Sequence, residues 1–121
     1  MTKNESQENY LETILILSQK RPVVRGVDIS NELGFKKSSV SIAMKNLRQQ
    51  NYISVTKDGF IYLTGEGLKI AEMVYDRHRT LTSFLSKLGV SPDVAEEDAC
   101  KIEHIISPRT FDAIKTFLQN N

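Results

Sequence analysis

Apolar residues recur at the three- and four-residue spacing of helices through most of this chain. The first helix is predicted over residues 6–18 and ends before Pro22, whose ring cannot continue it. Its apolar face consists of Tyr10, Leu11, Ile14, Leu15 and Leu17, with Glu12 near the polar face. Further helices are predicted over residues 27–33, 38–50, 65–88, 92–106 and 108–119. The pattern therefore indicates a mostly α protein.

The second and third predicted helices are joined by a short turn that contains glycine. Gly34 stands just past the helix over 27–33, in the usual stop position. The following helix places Val40, Met44 and Leu47 inward and presents hydroxyl and basic residues outward. A short helix, a turn with glycine and a second helix of this kind predict a helix-turn-helix, whose second helix enters the major groove of DNA.

Two strand-like runs follow the third helix, at residues 52–56 and 60–63. Asp58 and Gly59 lie between them, and this dipeptide between β-forming residues is typical of a tight hairpin. A hairpin directly after a recognition helix is the wing of a winged helix, with Lys57 at its tip able to contact a phosphate. A purely structural hairpin is the alternative interpretation.

Charge is segregated along the chain, although the net charge is only +1. Residues 21–57 carry seven basic against two acidic residues, whereas residues 58–121 carry seven basic against ten acidic. The basic block is where DNA would bind, although a solvated basic face would give the same count. The residues predicted to contact DNA are Arg25, Lys36, Lys37, Ser38, Ser39, Ser41, Lys45, Arg48 and Lys57.

Composition excludes several classes of protein. With 40% hydrophobic and 26% charged residues, the chain has the composition of a globular domain. No apolar run approaches the roughly 20 residues of a membrane span, and the start is too polar for a secretory signal, so no membrane partner and a cytoplasmic location are expected. The single cysteine excludes an intramolecular disulfide and leaves Cys100 available as a thiolate in a reducing compartment.

The helix predicted over residues 92–106 concentrates metal-binding side chains. Ser91 and Pro92 predict its start, because a serine hydroxyl caps a helix and a proline ring fits the first turn. Helical spacing places four donors on one stripe, namely Glu96, Cys100, Glu103 and His104. Cys-x-x-Glu-His is a weak motif alone, because a small buried thiol beside a solvated charge pair gives the same pattern.

The long helix over residues 65–88, capped by Thr64, is apolar on two sides. Both apolar sides of such a helix are usually buried. In a chain of 121 residues, its own core buries one side, and a partner subunit is predicted to bury the other. The predicted organisation is an N-terminal winged helix-turn-helix over residues 1–64 and a helical dimerisation and metal-binding domain over residues 65–121, in a homodimer.

Motifs along nearly the whole chain resemble the diphtheria toxin repressor and manganese transport regulator family of metal-dependent bacterial repressors. They are Tyr10-Leu11-Glu12-Thr13-Ile14, Ser39-Val40-Ser41, Leu63-Thr64, Arg77-His78-Arg79 and Cys100-x-x-Glu103-His104. The resemblance implies a winged helix that binds a double-stranded DNA operator and a metal-binding dimerisation domain, without an organic cofactor. Many members add a C-terminal SH3-like domain, which this sequence does not include.

The resemblance also implies a set of metal ligands, Glu12, His78, Cys100, Glu103 and His104. Asn9 departs from the Asp of the manganese branch and the Met of the iron branch, although its amide oxygen can still coordinate a metal. The ancillary site of the iron branch is not matched at two positions, because Thr82 and Glu96 stand where that branch has Glu and His. His78 and Glu96 are its remaining candidates.

The predicted cofactor is a divalent transition metal, Fe(II) or Mn(II). The thiol of Cys100, where the manganese branch has Glu, favours Fe(II), whereas several carboxylates favour Mn(II), and the balance places Fe(II) slightly ahead. The predicted function is a metal-dependent repressor, and the resemblance implies that its targets are metal-uptake genes. Two alternatives are a winged-helix regulator that senses redox state or a small ligand through Cys100, and a metalloenzyme, for which no nucleophile or oxyanion donor is evident.

Overall fold

The computed structural model describes residues 3–120, and the chain divides into two compact units, Met1–Glu72 and Met73–Asn121. The helices are α1 (Lys3–Lys20), α2 (Gly26–Leu33), α3 (Lys37–Gln49), α4 (Gly65–Lys87), α5 (Pro92–Ile102) and α6 (Pro108–Asn120), and the strands are β1 (Ile53–Val55) and β2 (Ile61–Leu63). The mostly α class and the winged helix are thereby confirmed. The predicted domain boundary after residue 64 stays a prediction. Within residues 3–120, every helix is either too short or too polar to span a lipid bilayer.

The core of the first unit forms where α1 packs against α2, α3 and β2. Its apolar side chains are at most 2% exposed at Leu11, Ile14, Ile29, Val40 and Leu47. The apolar face predicted for α1 is therefore confirmed. The polar position predicted for Glu12 is wrong, because this residue is only 5% exposed.

The turn between α2 and α3 forms as the glycine predicts. Gly34 has φ 70°, a left-handed conformation that only glycine adopts without strain, and its N–H donates to the carbonyl of Ser30. The Ser30 hydroxyl then donates to the carbonyl of Phe35 at 2.6 Å. These bonds stop α2 and set the direction in which α3 begins.

The hairpin that follows α3 is antiparallel, with Ile53 opposite Leu63 and Val55 opposite Ile61. Its turn is closed by Thr56, whose N–H donates to the Phe60 carbonyl at 2.9 Å and whose hydroxyl accepts from the Phe60 N–H at 3.0 Å. The wing predicted from Asp58 and Gly59 is present, with strands shorter than predicted.

The start of α4 contacts Tyr52, the residue directly before β1. The Thr64 hydroxyl accepts from the Gly67 N–H at 3.1 Å, which confirms the predicted cap. Gly67 is buried, and a Cβ at this position would overlap the backbone carbonyl of Tyr52. This close approach requires glycine at position 67.

The second unit contains the rest of α4 with α5 and α6. Phe84 and Phe117 meet edge to face at 6.0 Å, and Lys115 donates to Asp76 at 2.9 Å. The Arg77 guanidinium lies 5.7 Å from the centre of the Phe111 ring. These contacts join α4 to α6, while Ala95 and Ala99 of α5 are fully buried.

Two details of α5 differ from the sequence prediction. The helix ends at Ile102 instead of residue 106, and residues 103–105 form a turn. The Ser91 hydroxyl makes no cap bond to the helix backbone. A hydrogen bond with Ser91, and then those of the Asp93 and Val94 backbone, instead lower the pKa of the Asp93 carboxyl.

Candidate metal centre and nucleic-acid interface

The outward face of α3 is lined with groups that suit DNA. Val40, Met44 and Leu47 anchor the opposite face in the core, as predicted, and are at most 7% exposed. Apart from Ile42, the outward positions are exposed and carry hydroxyl, amide or basic side chains, namely Lys37, Ser38, Ser39, Ser41, Lys45, Asn46, Arg48 and Gln49. The first unit therefore presents one helix face of donors and positive charge.

A groove of about 350 Å³ runs between α3 and the wing. Its lining residues are Gly26, Ser41, Met44, Lys45, Arg48, Val55, Gly59 and Ile61. The groove brings Lys45 and Arg48, which were predicted from the sequence to contact DNA, beside the hairpin. Such a basic groove is able to follow a phosphate backbone.

The other residues predicted to contact DNA lie on exposed parts of the same unit. Lys57 is exposed at the hairpin tip, and Lys36 is exposed directly before α3. The Arg25 guanidinium lies 4.8 Å from the centre of the Phe60 ring, so that the wing orients this side chain. Their DNA contacts, like those of the α3 residues, stay a prediction.

In the second unit, one glutamate is entirely buried between two histidines. Glu103 is 0% exposed, at the residue that follows α5. Its Oε2 lies 2.8 Å from Nδ1 of His78 on α4, and its Oε1 lies 3.3 Å from Nε2 of His104. A buried carboxylate is costly without a partner, and the His78 imidazole supplies one by hydrogen bonding to Oε2.

The Glu103 carboxylate retains acceptor capacity. Its Oε1 is buried and, among the described residues, makes no contact with hydrogen-bonding geometry. A carboxylate and two imidazoles form a donor set that Mn(II) and Fe(II) accept in proteins. The Glu103 carboxylate and the His78 imidazole, 2.8 Å apart, are therefore able to share a divalent cation, while the ligand role of His104 stays a prediction.

Arg77 supports this cluster and was missed as a site residue from the sequence. Its Nη1 donates to the Glu103 carbonyl at 3.2 Å, which fixes the backbone of the turn after α5. The only signal in the sequence is its position directly before His78.

Cys100 and Glu96 are the predicted neighbours of Glu103 on one stripe, and this arrangement stays a prediction. Both are exposed, whereas the buried stripe of α5 consists of Ala95, Ala99 and Glu103 at intervals of four. The ligand roles of Cys100, Glu96 and His104 stay predictions.

The remaining predicted ligands belong to the first unit. Glu12 lies on α1 and is 5% exposed, and Asn9 lies one turn before it and is half-buried. The carbonyl of Asn9 accepts a hydrogen bond from the Thr13 hydroxyl at 2.8 Å, as helix residues of this spacing often do. Ligand roles for both residues stay predictions.

Two family models together match nearly the entire chain. The model described as iron dependent repressor, N-terminal DNA binding domain, matches residues 3–60. The model described as iron dependent repressor, metal binding and dimerisation domain, matches residues 64–121. The first therefore contains α3 and most of the wing, and the second contains His78, Glu103 and His104.

Curated relatives align along most of this chain. The transcriptional regulator MntR of Escherichia coli O157:H7 is 34% identical over 119 residues, which are 98% of this chain and 77% of the relative. An uncharacterised HTH-type transcriptional regulator of Methanocaldococcus jannaschii is 30% identical over 118 residues, which are 96% of this chain and 94% of the relative.

Solved structures share the fold. The manganese regulator SloR is 27% identical with a TM-score of 0.85, over 100% of this chain and 56% of SloR. A manganese-dependent transcriptional repressor in complex with manganese is 26% identical with a TM-score of 0.87, over 93% of this chain and 52% of the repressor. The chain therefore spans about half the length of these solved proteins.

Proposed function

The chain belongs to the iron dependent repressor family, and from this we propose that it is a metal-dependent transcriptional repressor that binds double-stranded DNA as a homodimer. The single observation that carries the metal dependence is the fully buried Glu103 carboxylate between His78 and His104. The exposed, basic face of α3 supports the DNA-binding part of the proposal.

The proposed ion is Fe(II) or Mn(II), with His78, Glu103 and His104 as ligands in the second unit. The metal supplies positive charge that holds these donors in one arrangement, and it favours that arrangement only by its higher affinity for it. Glu12, Asn9, Cys100 and Glu96 remain proposed ligands from the sequence. Metal-uptake genes are the proposed targets, because excess metal would then stop its own import.

The dimer rests on the description of the second family model, a dimerisation domain. The surface of the second unit supports it, because Leu88, Ile105 and Phe117 are at least 50% exposed. The relatives are named as transcriptional regulators, which supports a DNA-binding protein of the cytoplasm and does not favour catalysis or a redox switch at Cys100.

Fluorescence anisotropy of a labelled operator, chosen from a random duplex library, tests the proposal. We expect tight binding with Mn(II) or anaerobic Fe(II) and weak, salt-sensitive binding after chelation. Light scattering in the same buffer should give the mass of two chains. Operator binding that is equally tight in chelator, or a monomer mass with metal at micromolar protein, would contradict the proposal.

A further inference from the structure

An isoleucine occupies the centre of the outward face of α3. At about 100° per residue, Ile42 lies within roughly 20° of the line directly opposite Val40, Met44 and Leu47. The residue is 63% exposed, whereas those three are at most 7% exposed. Ile42 therefore contributes almost nothing to the core of the first unit.

The helix neighbours of Ile42 one turn away in each direction are all polar. Its neighbours at intervals of three and four residues are Ser38, Ser39, Lys45 and Asn46. Isolated apolar residues on a surface are common and need no explanation alone. This one differs because it lies in the middle of a helix face whose other members carry donors and positive charge.

These surroundings indicate which molecule covers Ile42. A second copy of the chain would bring two sets of lysines together, which like-charge repulsion opposes. Lys37, Lys45 and Arg48 are all exposed on this unit. The phosphates of DNA complement their positive charge. The occupant of this face is therefore the major groove.

The major groove offers an aliphatic side chain few apolar partners. Donors and acceptors of base edges lose hydration against isoleucine without gaining a hydrogen bond, whereas the C5 methyl group of thymine gains apolar contact. From this chemistry we infer that Ile42 is a specificity-determining residue that selects thymine through its methyl group. This inference rests on the proposed operator binding and assigns one base preference within it.

The test compares thymine with deoxyuridine, which differs only by that methyl group. Each thymine of the selected operator is replaced singly, and Kd is measured with the full chain and Mn(II). Burial of one methyl group corresponds to about a fourfold change in Kd. We expect a loss of about fourfold at one thymine position of each half-site and smaller changes elsewhere.

Two variants assign this loss to Ile42. Ile42→Ala should bind the thymine and deoxyuridine duplexes equally at that position, and Ile42→Val should retain most of the discrimination. Both should unfold at the wild-type temperature, because position 42 faces away from the core. In a new selection, Ile42→Gln should enrich adenine at that position, since a glutamine amide pairs with the adenine edge.

The outcomes separate this inference from the proposed function. A protein that enriches no operator with metal overturns the proposed function and the inference together. A protein that enriches an operator but shows the same deoxyuridine effect in wild type and Ile42→Ala overturns the inference alone. The inference alone is also overturned if substitution of Ile42 changes the effect of deoxyuridine at no thymine position of the operator.

Discussion

The outward face of α3 and the cluster around Glu103 use charge in opposite ways. On α3 the charged groups are exposed, and each acts nearly independently through solvent and salt. At Glu103 the carboxylate is 0% exposed and lies within 3.3 Å of a nitrogen of each of two imidazoles. We therefore expect each substitution on α3 to lower DNA affinity by a small step, whereas a substitution of Glu103 should remove metal binding by the whole cluster.

The largest expected effect follows from Glu103→Gln, which removes the charge and keeps the size. We expect Mn(II) affinity to fall by at least about 100-fold, since loss of a mere supporting partner of a ligand costs roughly 10- to 100-fold. Isothermal titration of metal into the purified protein measures it. The matched control is Glu97→Gln, an exposed carboxylate of α5 that pairs with Lys101 and should leave the affinity unchanged.

Gly67→Ala should have the next largest effect, by disturbing the unit that carries α3. The added Cβ would overlap the Tyr52 carbonyl, so we expect the free energy of unfolding to fall by roughly 2 kcal/mol. Gly65→Ala is the control, because nothing lies within 4 Å of a Cβ there, and its effect should stay below about 1 kcal/mol. Thermal unfolding measures both, and equal melting temperatures would refute the close approach.

Lys45→Ala should weaken DNA binding gradually and for all sequences alike. If Lys45 contacts one phosphate, the slope of log affinity against log salt should decrease by about one unit. Lys57→Ala should behave in the same way if the wing contacts the backbone. Lys101→Ala removes an exposed charge from the second unit and should leave the slope unchanged. A wild-type slope in both test variants would exclude these phosphate contacts.

Cys100→Ser should have the smallest effect, because Cys100 is exposed while Glu103 is buried. If the thiolate is a ligand, Fe(II) should lose more affinity than Mn(II), since the softer ion gains more from sulfur. Competition between the two ions under anaerobic conditions measures the ratio. An unchanged ratio would remove Cys100 from the ligand set.

The same comparison explains what the sequence could predict. The elements of the first unit carry strong local signals: Gly34 for the stop of α2, Asp58 and Gly59 for the hairpin, and Thr64 for the start of α4. Each of these signals acts through its own backbone, so each is independent of distant parts of the chain.

The end of α5 and the burial of Glu103 could not be predicted in this way. Ser107 and Pro108, which begin the next helix, predict residue 106 as the end of α5, yet residues 103–105 form a turn and Ile105 is 70% exposed. The stripe that is buried consists of two alanines and Glu103, which give little hydrophobic signal. Burial of Glu103 depends on His78, which is 25 residues away in sequence. Only the folded second unit brings them together.

The most direct test of the central claim is operator affinity of the Glu103→Gln protein with and without Mn(II). The account predicts that wild type binds operator tightly only with Mn(II), while Glu103→Gln folds normally, binds weakly and gains nothing from the metal. Glu97→Gln should match wild type in both conditions. Operator binding by Glu103→Gln that still requires Mn(II) and reaches wild-type affinity would contradict the claim that this buried carboxylate carries the metal dependence.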